Sequence, residues 1–424
     1  MPSRSSLRLG DALVVLGCLC LVGTVVGGAA LAPPGTTGTA TDNTSGDVRE
    51  TLVGVQGVGS YHDGGSVRYF DGTEERWRES SAPVYFDVTQ LEDGRVLAGY
   101  MAGGYEECGP YESPCHRTGY RVIDPEPSPE VVEEWSFPVR TRVASEVHDV
   151  EPLPGGGVVL ADMEHERILI VEDGEVTWEW EASTRYDAPE DPTTEDWLHI
   201  NDVDRIGDGR FLVSVRNANQ LLVLEHGEGV VEVINEDPDG DTDDPTGDPS
   251  VLYHQHNPQW LGDGAVLVAD SENHRVVELH RTDSGDWEPA WVLEGAGGQK
   301  FDWPRDADRL PNGNTLITDT RNARLVEVNE SGRVVWERQL DYRTLPYEAD
   351  RLPEGETVGG PTYGDGGTAN AGGGNVPVLT PLLRLASAAV RLPLWVSELH
   401  VFTTLVSLAL VGSGVVLRLR RRFR

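Results

Sequence analysis

Lysine is almost absent from this chain. Among 424 residues, 34 are basic and 71 are acidic, yet Lys300 is the single lysine and the formal charge is −37. Such a surface repels phosphate, which excludes nucleic acid as a partner. It points to a high-salt setting, where screening relieves self-repulsion. Cysteine is nearly as scarce, with four residues. Cys18 and Cys20 fall inside an apolar run, so only Cys108 and Cys115 are left to brace a folded domain. No long amphipathic helix pattern interrupts residues 48–357. An acidic disordered chain would share this charge, but 11 tryptophans and many short alternating apolar runs argue for a packed β protein.

What is present is a repeat. It reads FDVTQLEDGRVLAG from Phe86, HDVEPLPGGGVVLAD from His148 and NDVDRIGDGRFLVSV from Asn201. It continues as HNPQWLGDGAVLVAD from His256, RDADRLPNGNTLITD from Arg305 and YEADRLPEGETVGG from Tyr347. Each copy has an apolar run, a turn with glycine (Gly94 or Gly264, for example), then a strand-length run rich in β-branched residues. Third runs such as HRVVELH and tryptophan-bearing fourth runs such as EVTWEWEA follow. Four short strands at a period near fifty predict a β-propeller. The sixth copy lacks its later strands, and residues 48–80 hold orphan strands that complete it. The expected fold is therefore all-β: a six-bladed propeller over residues 48–357, closed by strands from both ends.

The ends are apolar. Residues 12–32 carry no charge and follow Arg4 and Arg8; residues 401–417 carry none and precede RLRRRFR. The first is either a cleaved signal peptide or, by its length, an uncleaved span. Two transmembrane helices flanking the propeller are expected, at residues 1–33 and 398–424. The basic flanks put both termini in the cytoplasm and the propeller outside the cell membrane. Residues 34–47 and 358–376 read as linkers. Residues 377–397 read as an amphipathic interfacial helix. Export suits a disulfide between Cys108 and Cys115, seven residues apart; a metal site with His116 is the rival reading.

The residue that starts each repeat occupies the same place in every blade, so these side chains converge on one axis. His148, His256 and Arg305 head their repeats. His199 stands two residues before the Asn201 head, and Arg216 ends the second strand of that blade. Imidazoles and guanidiniums together make an anion site, and imidazole is a good nucleophile near neutral pH. A lone histidine at a strand start is usually a packing residue, and His254 in YHQHN reads as a neighbour. A metal is a competing use: Asp149, Asp202 and Asp306 follow the heads, and propellers can hold calcium with carboxylates. Strand alternation points these three away from the axis. Asp162, Asp270 and Asp319 end second strands, with an arginine five residues on, and read as turn clasps. His165, His226, His274 and His280 are expected in solvated outer turns.

These residues resemble the arylsulfotransferase family of exported six-bladed propellers. HDVEPLPGGGVVLAD is similar to that family's His-Asp blade start. DWLHINDVDRIGDGRFLVSVRNANQLLVLE is similar to its His-x-Asn-Ser segment and the S-x-R-x-x-N strand that follows. HQHNPQWLGDGAVLVADS resembles its Gln-His segment, which carries the sulfated histidine. The likeness covers about residues 86–345. It implies that His256 takes a sulfuryl group from an aryl sulfate and passes it to a phenolic acceptor. It implies that His199 and Arg216 bind the sulfate, that His148 serves as acid or base, and that Asn201, Arg305 and His254 contact substrate. It implies no nucleotide donor, no metal and no other cofactor. Asp202 and Pro258 depart from the family pattern. VLVADSENHRVVELH also resembles the NHL-repeat propellers, which mostly bind partners. A binding propeller and a metal-dependent hydrolase of lactonase type are the alternative functions.

Overall fold

The computed structural model describes residues 11, 13–21, 49–57, 64–72, 74–236, 246–341, 344–363, 367–368 and 398–422. The proposed linker 34–47 and interfacial helix 377–397 lie outside the described residues. The chain divides into two compact units, residues 38–372 and the two ends, residues 1–37 with 373–424.

The first unit is a ring of six sheets, each of four antiparallel strands, the fourth extended by a short fifth strand. Their inner strands are Val84–Gln90, Val147–Pro152, Ile200–Gly207, His256–Gly262, Pro304–Arg309 and Pro346–Arg351. Each begins at or within two residues of a repeat head. The sixth sheet is composite: Pro346–Arg351 pairs with Glu50–Val55, which is followed by Ser66–Asp71 and Glu74–Glu79. This closure makes the hydrophobic core circular, for the apolar clusters lie between neighbouring blades. Val159 and Ile168 meet Phe211 and Leu222 between the second and third blades. Val53 and Phe70 from the N-terminal strands meet Leu316 and Trp336 of the fifth. Leu52 and Val67 meet Tyr85 and Val96 of the first.

Gly54 shows how tight the closing strand is. A β-carbon there would lie 1.7 Å from the Phe86 carbonyl oxygen, which is backbone and cannot yield. Gly54→Ala should destabilise the propeller by about 3 kcal/mol, the upper end of ordinary overpacking. Thermal melting of that variant checks it; a melt equal to wild type would contradict the closure geometry.

Asp162, Asp270 and Asp319 clasp Arg167, Arg275 and Arg324 at 2.7, 2.6 and 2.7 Å across the outer turns. Some histidines expected in solvated turns are tied down. His274 is buried and accepts a hydrogen bond from the Trp303 amide, and His280 bonds Glu278. Cys108 and Cys115 are joined, with α-carbons 5.7 Å apart. Past the sixth inner strand the chain runs under the ring. Tyr363 docks on Glu278 and Thr315, and Gly367–Thr368 adds a short parallel strand beside Trp291–Val292.

In the second unit, one helix among the described residues is long and apolar enough to cross a membrane. It is Glu398–Arg422, with a mean hydropathy of 1.9 over His400–Leu417. Residues 13–21 are helical too, and Gly17 packs there against Ser407 and Val411. The rest of the expected first span lies outside the described residues, so one of the two expected spans is seen among the described residues.

Candidate functional site

The register of the inner strands decides where the site side chains go. In each blade the inner strand carries a bulge at the repeat head. Val147 pairs with Asp162 and Val150 with Leu160, so His148 and Asp149 together face one residue. The same slip occurs at Phe86, Asn201, Asn257, Arg305 and Tyr347. A bulge adds one residue and resets the alternation. Head and following residue then both reach the axis. This overturns the expectation that Asp149, Asp202 and Asp306 point away: alternation holds only in an unbroken ladder.

The heads form one layer. The rings of His148 and Tyr347 stack at 5.3 Å, Phe86 meets both, and His256 lies 6.1 Å from Tyr347. The Arg305 guanidinium lies 4.8 Å from the Tyr347 ring and 3.9 Å from that of Trp303. These heads are buried and form a floor. The rim is more open: His199, Arg216, His254 and Trp303 are half-buried. His199, His254 and Trp303 each stand two residues before a head, and all three have φ between 49° and 61°. Non-glycine residues in that region are strained and cluster at functional sites. The buried Glu166 carboxylate pins the first of them, accepting hydrogen bonds from the amides of Leu198, His199 and Ile200.

The hydrogen-bond network assigns the tautomer of His256. Its Nδ1 lies 2.8 Å from Ser271 Oγ, and that hydroxyl donates to the Pro304 carbonyl at 2.6 Å. Ser271 therefore accepts, His256 Nδ1 carries the proton, and Nε2 keeps its lone pair. Burial, then the charges of Arg305 and Arg216, push His256 well below the ordinary histidine value. His199 bonds Asp196 through Nδ1 at 2.7 Å, and burial lowers it as well. Burial and Arg216 bring His254 down to about 4. Arg305 is lowered to about 10 by burial. Among the described residues neither Arg216 nor Arg305 has a carboxylate within ion-pair distance, and Arg305 Nε is buried without a hydrogen-bond partner. Arg305 donates to Gln56, which comes from the N-terminal strands. Two guanidiniums with no carboxylate at ion-pair distance, beside a neutral imidazole, favour a bound anion.

The sequence-derived residues His148, His199, His254, His256, Arg216 and Arg305 thus come together. Asn201 sits at the floor; its amide nitrogen donates to the Gln255 carbonyl, and its Oδ1 is buried with no hydrogen-bond partner among the described residues. Ser271, Asp196, Trp303 and Tyr347 were not singled out by sequence. Tyr347 heads its repeat and Trp303 holds the His199 position, so the repeat itself was the signal. Tyr347 is fully buried and its hydroxyl has no hydrogen-bond partner among the described residues.

Below the floor the axis is lined by acids. Oxygens of Asp87, Asp149 and Glu151 lie within 4.8 Å of one another, as do those of Asp149, Asp202 and Asp204, and of Glu151, Asp204 and Glu356. Burial raises Asp149 and Asp306 to about 7 and Asp350 to about 8. Three of the acids also tie blades together: Asp87, Asp149 and Asp306 accept the amides of Val150, Val203 and Ala349 from the next blade.

No family model matches the chain, and no curated protein does. Solved structures do. A protein of unknown function from Bacteroides caccae is 17% identical at a TM-score of 0.50, over 72% of this chain and 98% of that one. The periplasmic gluconolactonase of Pseudomonas aeruginosa is 16% identical at 0.40, over 72% and 98%. Virginiamycin B lyase from Staphylococcus aureus, in a catalytically inactive form, is 11% identical at 0.41, over 76% and 91%. At 17% identity and a TM-score of 0.50 the first of these likenesses speaks to the fold alone, and nothing in the comparisons is specific to arylsulfotransferases.

Proposed function

We propose that the histidine–arginine floor transfers a sulfuryl group from an aryl sulfate to a phenolic acceptor, by way of His256. The observation that carries this reading is the His256–Ser271–Pro304 chain, which leaves a neutral imidazole with its Nε2 lone pair beside two unpaired guanidiniums. In the first step Nε2 forms a bond to sulfur as the sulfur–oxygen bond to the aryl group breaks, and a phenolate leaves. In the second the acceptor oxygen attacks sulfur, the nitrogen–sulfur bond breaks, and the lone pair returns to His256. Arg216 and Arg305 offset the charge spread over the sulfuryl oxygens. His199 differs from its expected role: with Nδ1–H spent on Asp196, it offers a lone pair and suits a base that takes the acceptor's proton. No group outside the chain is needed for these steps.

The apolar C-terminal helix supports a membrane anchor, and the arginines that flank the two apolar runs support a propeller outside the cell with both termini in the cytoplasm. Protease added to intact cells should then degrade the propeller and spare both tails; a protected propeller would reverse the orientation.

Transfer is tested with 4-nitrophenyl sulfate at high salt. Release of 4-nitrophenol should speed up when a phenol is added, and the phenol should appear sulfated. Because His256 is held below 6.5, its nucleophile survives mild acid, and the rate should not fall between pH 7 and 6. A second reading is a metal-dependent hydrolase of lactonase type, favoured by the carboxylate groups on the axis. It predicts lactone hydrolysis that vanishes with a chelator and returns with Ca²⁺. Neither activity would leave a binding propeller.

A further inference from the structure

The repeat places acids on the axis at two positions of its blades, and the amide bonds between blades account for three of them, Asp87, Asp149 and Asp306. The residue after each head is Asp87, Asp149, Asp202, Asn257, Asp306 and Glu348; two residues further come Glu151, Asp204, Asp308 and Asp350. After the bulge these positions share one face of their strands. Nearby arginines are committed elsewhere, Arg351 to Glu327 and Arg309 to Glu278.

Two observations point to something held there. The first is Asp202. Asp87, Asp149 and Asp306 each accept an amide from the next blade, but the corresponding residue beside Asp202 is Pro258, which has no N–H. Asp202 Oδ1 is buried without a hydrogen-bond partner among the described residues, as are Asp204 Oδ2 and Asp87 Oδ1. The second is Asn257, which is not an acid. It is 6% exposed. Its amide nitrogen bonds Glu348 inside the ring, and its Oδ1 has no partner. A buried carboxamide oxygen among carboxylates is costly unless a cation takes its lone pairs.

We infer that the axial column binds a divalent cation, calcium by its chemistry, at Asp149, Asp202 and Asp204, bordered by Asn257. The donors are all oxygen, which disfavours zinc. The carboxylates come from two neighbouring blades, and calcium accepts an irregular oxygen cage that magnesium does not. A cavity lined by Glu151, Asp204, Gln259 and Glu356 opens beside the site and offers a path in. The cation would join the second blade to the third and, through Asp202 and the bordering Asn257, reach the junction of the third and fourth, where Pro258 offers no amide. This site is separate from the sulfuryl-transfer reading, whose chemistry it does not enter.

The test uses the full-length protein in detergent and high salt, stripped with a chelator and then titrated with CaCl₂ alone. Calorimetry should show saturable binding, and melting should shift upward with Ca²⁺. Asp202→Asn keeps the shape and should weaken Ca²⁺ binding by at least about tenfold, whereas Asp208→Asn, at an exposed turn, should not. Asp204→Asn repeats the test should Asp202→Asn not fold. No saturable Ca²⁺ binding by the wild type, or wild-type affinity in the folded column variant, overturns the site.

Discussion

His256→Ala should show no sulfuryl transfer at all. Removing one charge-stabilising donor from an anion site costs about 10²–10³ in rate. Removing the nucleophile removes the route itself, because the covalent intermediate has nowhere to form. Arg216→Ala should therefore keep a measurable residue while His256→Ala keeps none. His254 is the control within the rim: it is half-buried, with φ of 49°, and lies outside the Ser271 network. His254→Ala should reduce turnover without abolishing it. Steady-state release of 4-nitrophenol in the three variants orders them. Full activity in His256→Ala would exclude the nucleophile and shift attention to His254.

The second large effect concerns stability. Glu278 and Arg309 are both fully buried and pair at 2.8 Å. Glu278 also receives the amide of Tyr363, and Arg309 lies 3.3 Å from the Tyr363 ring. The pair thus ties the fourth and fifth blades to the strap that runs under the ring. Glu278→Ala strands a buried guanidinium, a change worth about 3–5 kcal/mol. The melting temperature should drop by on the order of 10 °C. Replacing both residues with apolar ones should cost less than the single change, because no charge is then left unpaired. A single variant that melts like wild type would show that Arg309 finds another partner.

The heads and the blade count were legible in the sequence because the repeat restates them six times. The closure was legible too, since Pro346–Arg351 and the N-terminal strands each lacked what the other had. The acids after the heads were misread for a physical reason. Alternation was applied across a bulge, and a bulge has no signature in one strand read alone. The better clue was the repetition itself: Asp87, Asp149, Asp202, Asp306 and Glu348 recur at one repeat position. Ser271 was illegible, since its role depends on the Pro304 carbonyl of the next blade. Tyr347 shares the head position, but a tyrosine there carries no charge and gives no signal of anion chemistry in the sequence.

The account rests most heavily on His256 as the residue that carries the group. Wild-type protein mixed with 4-nitrophenyl sulfate, without acceptor, and quenched in alkali preserves a sulfated histidine for peptide mass spectrometry. The account predicts one SO₃ per chain, on the peptide bearing His256, and its loss when phenol is added before the quench. An unmodified His256 in protein that has released 4-nitrophenol, or a group found on another residue, would contradict it.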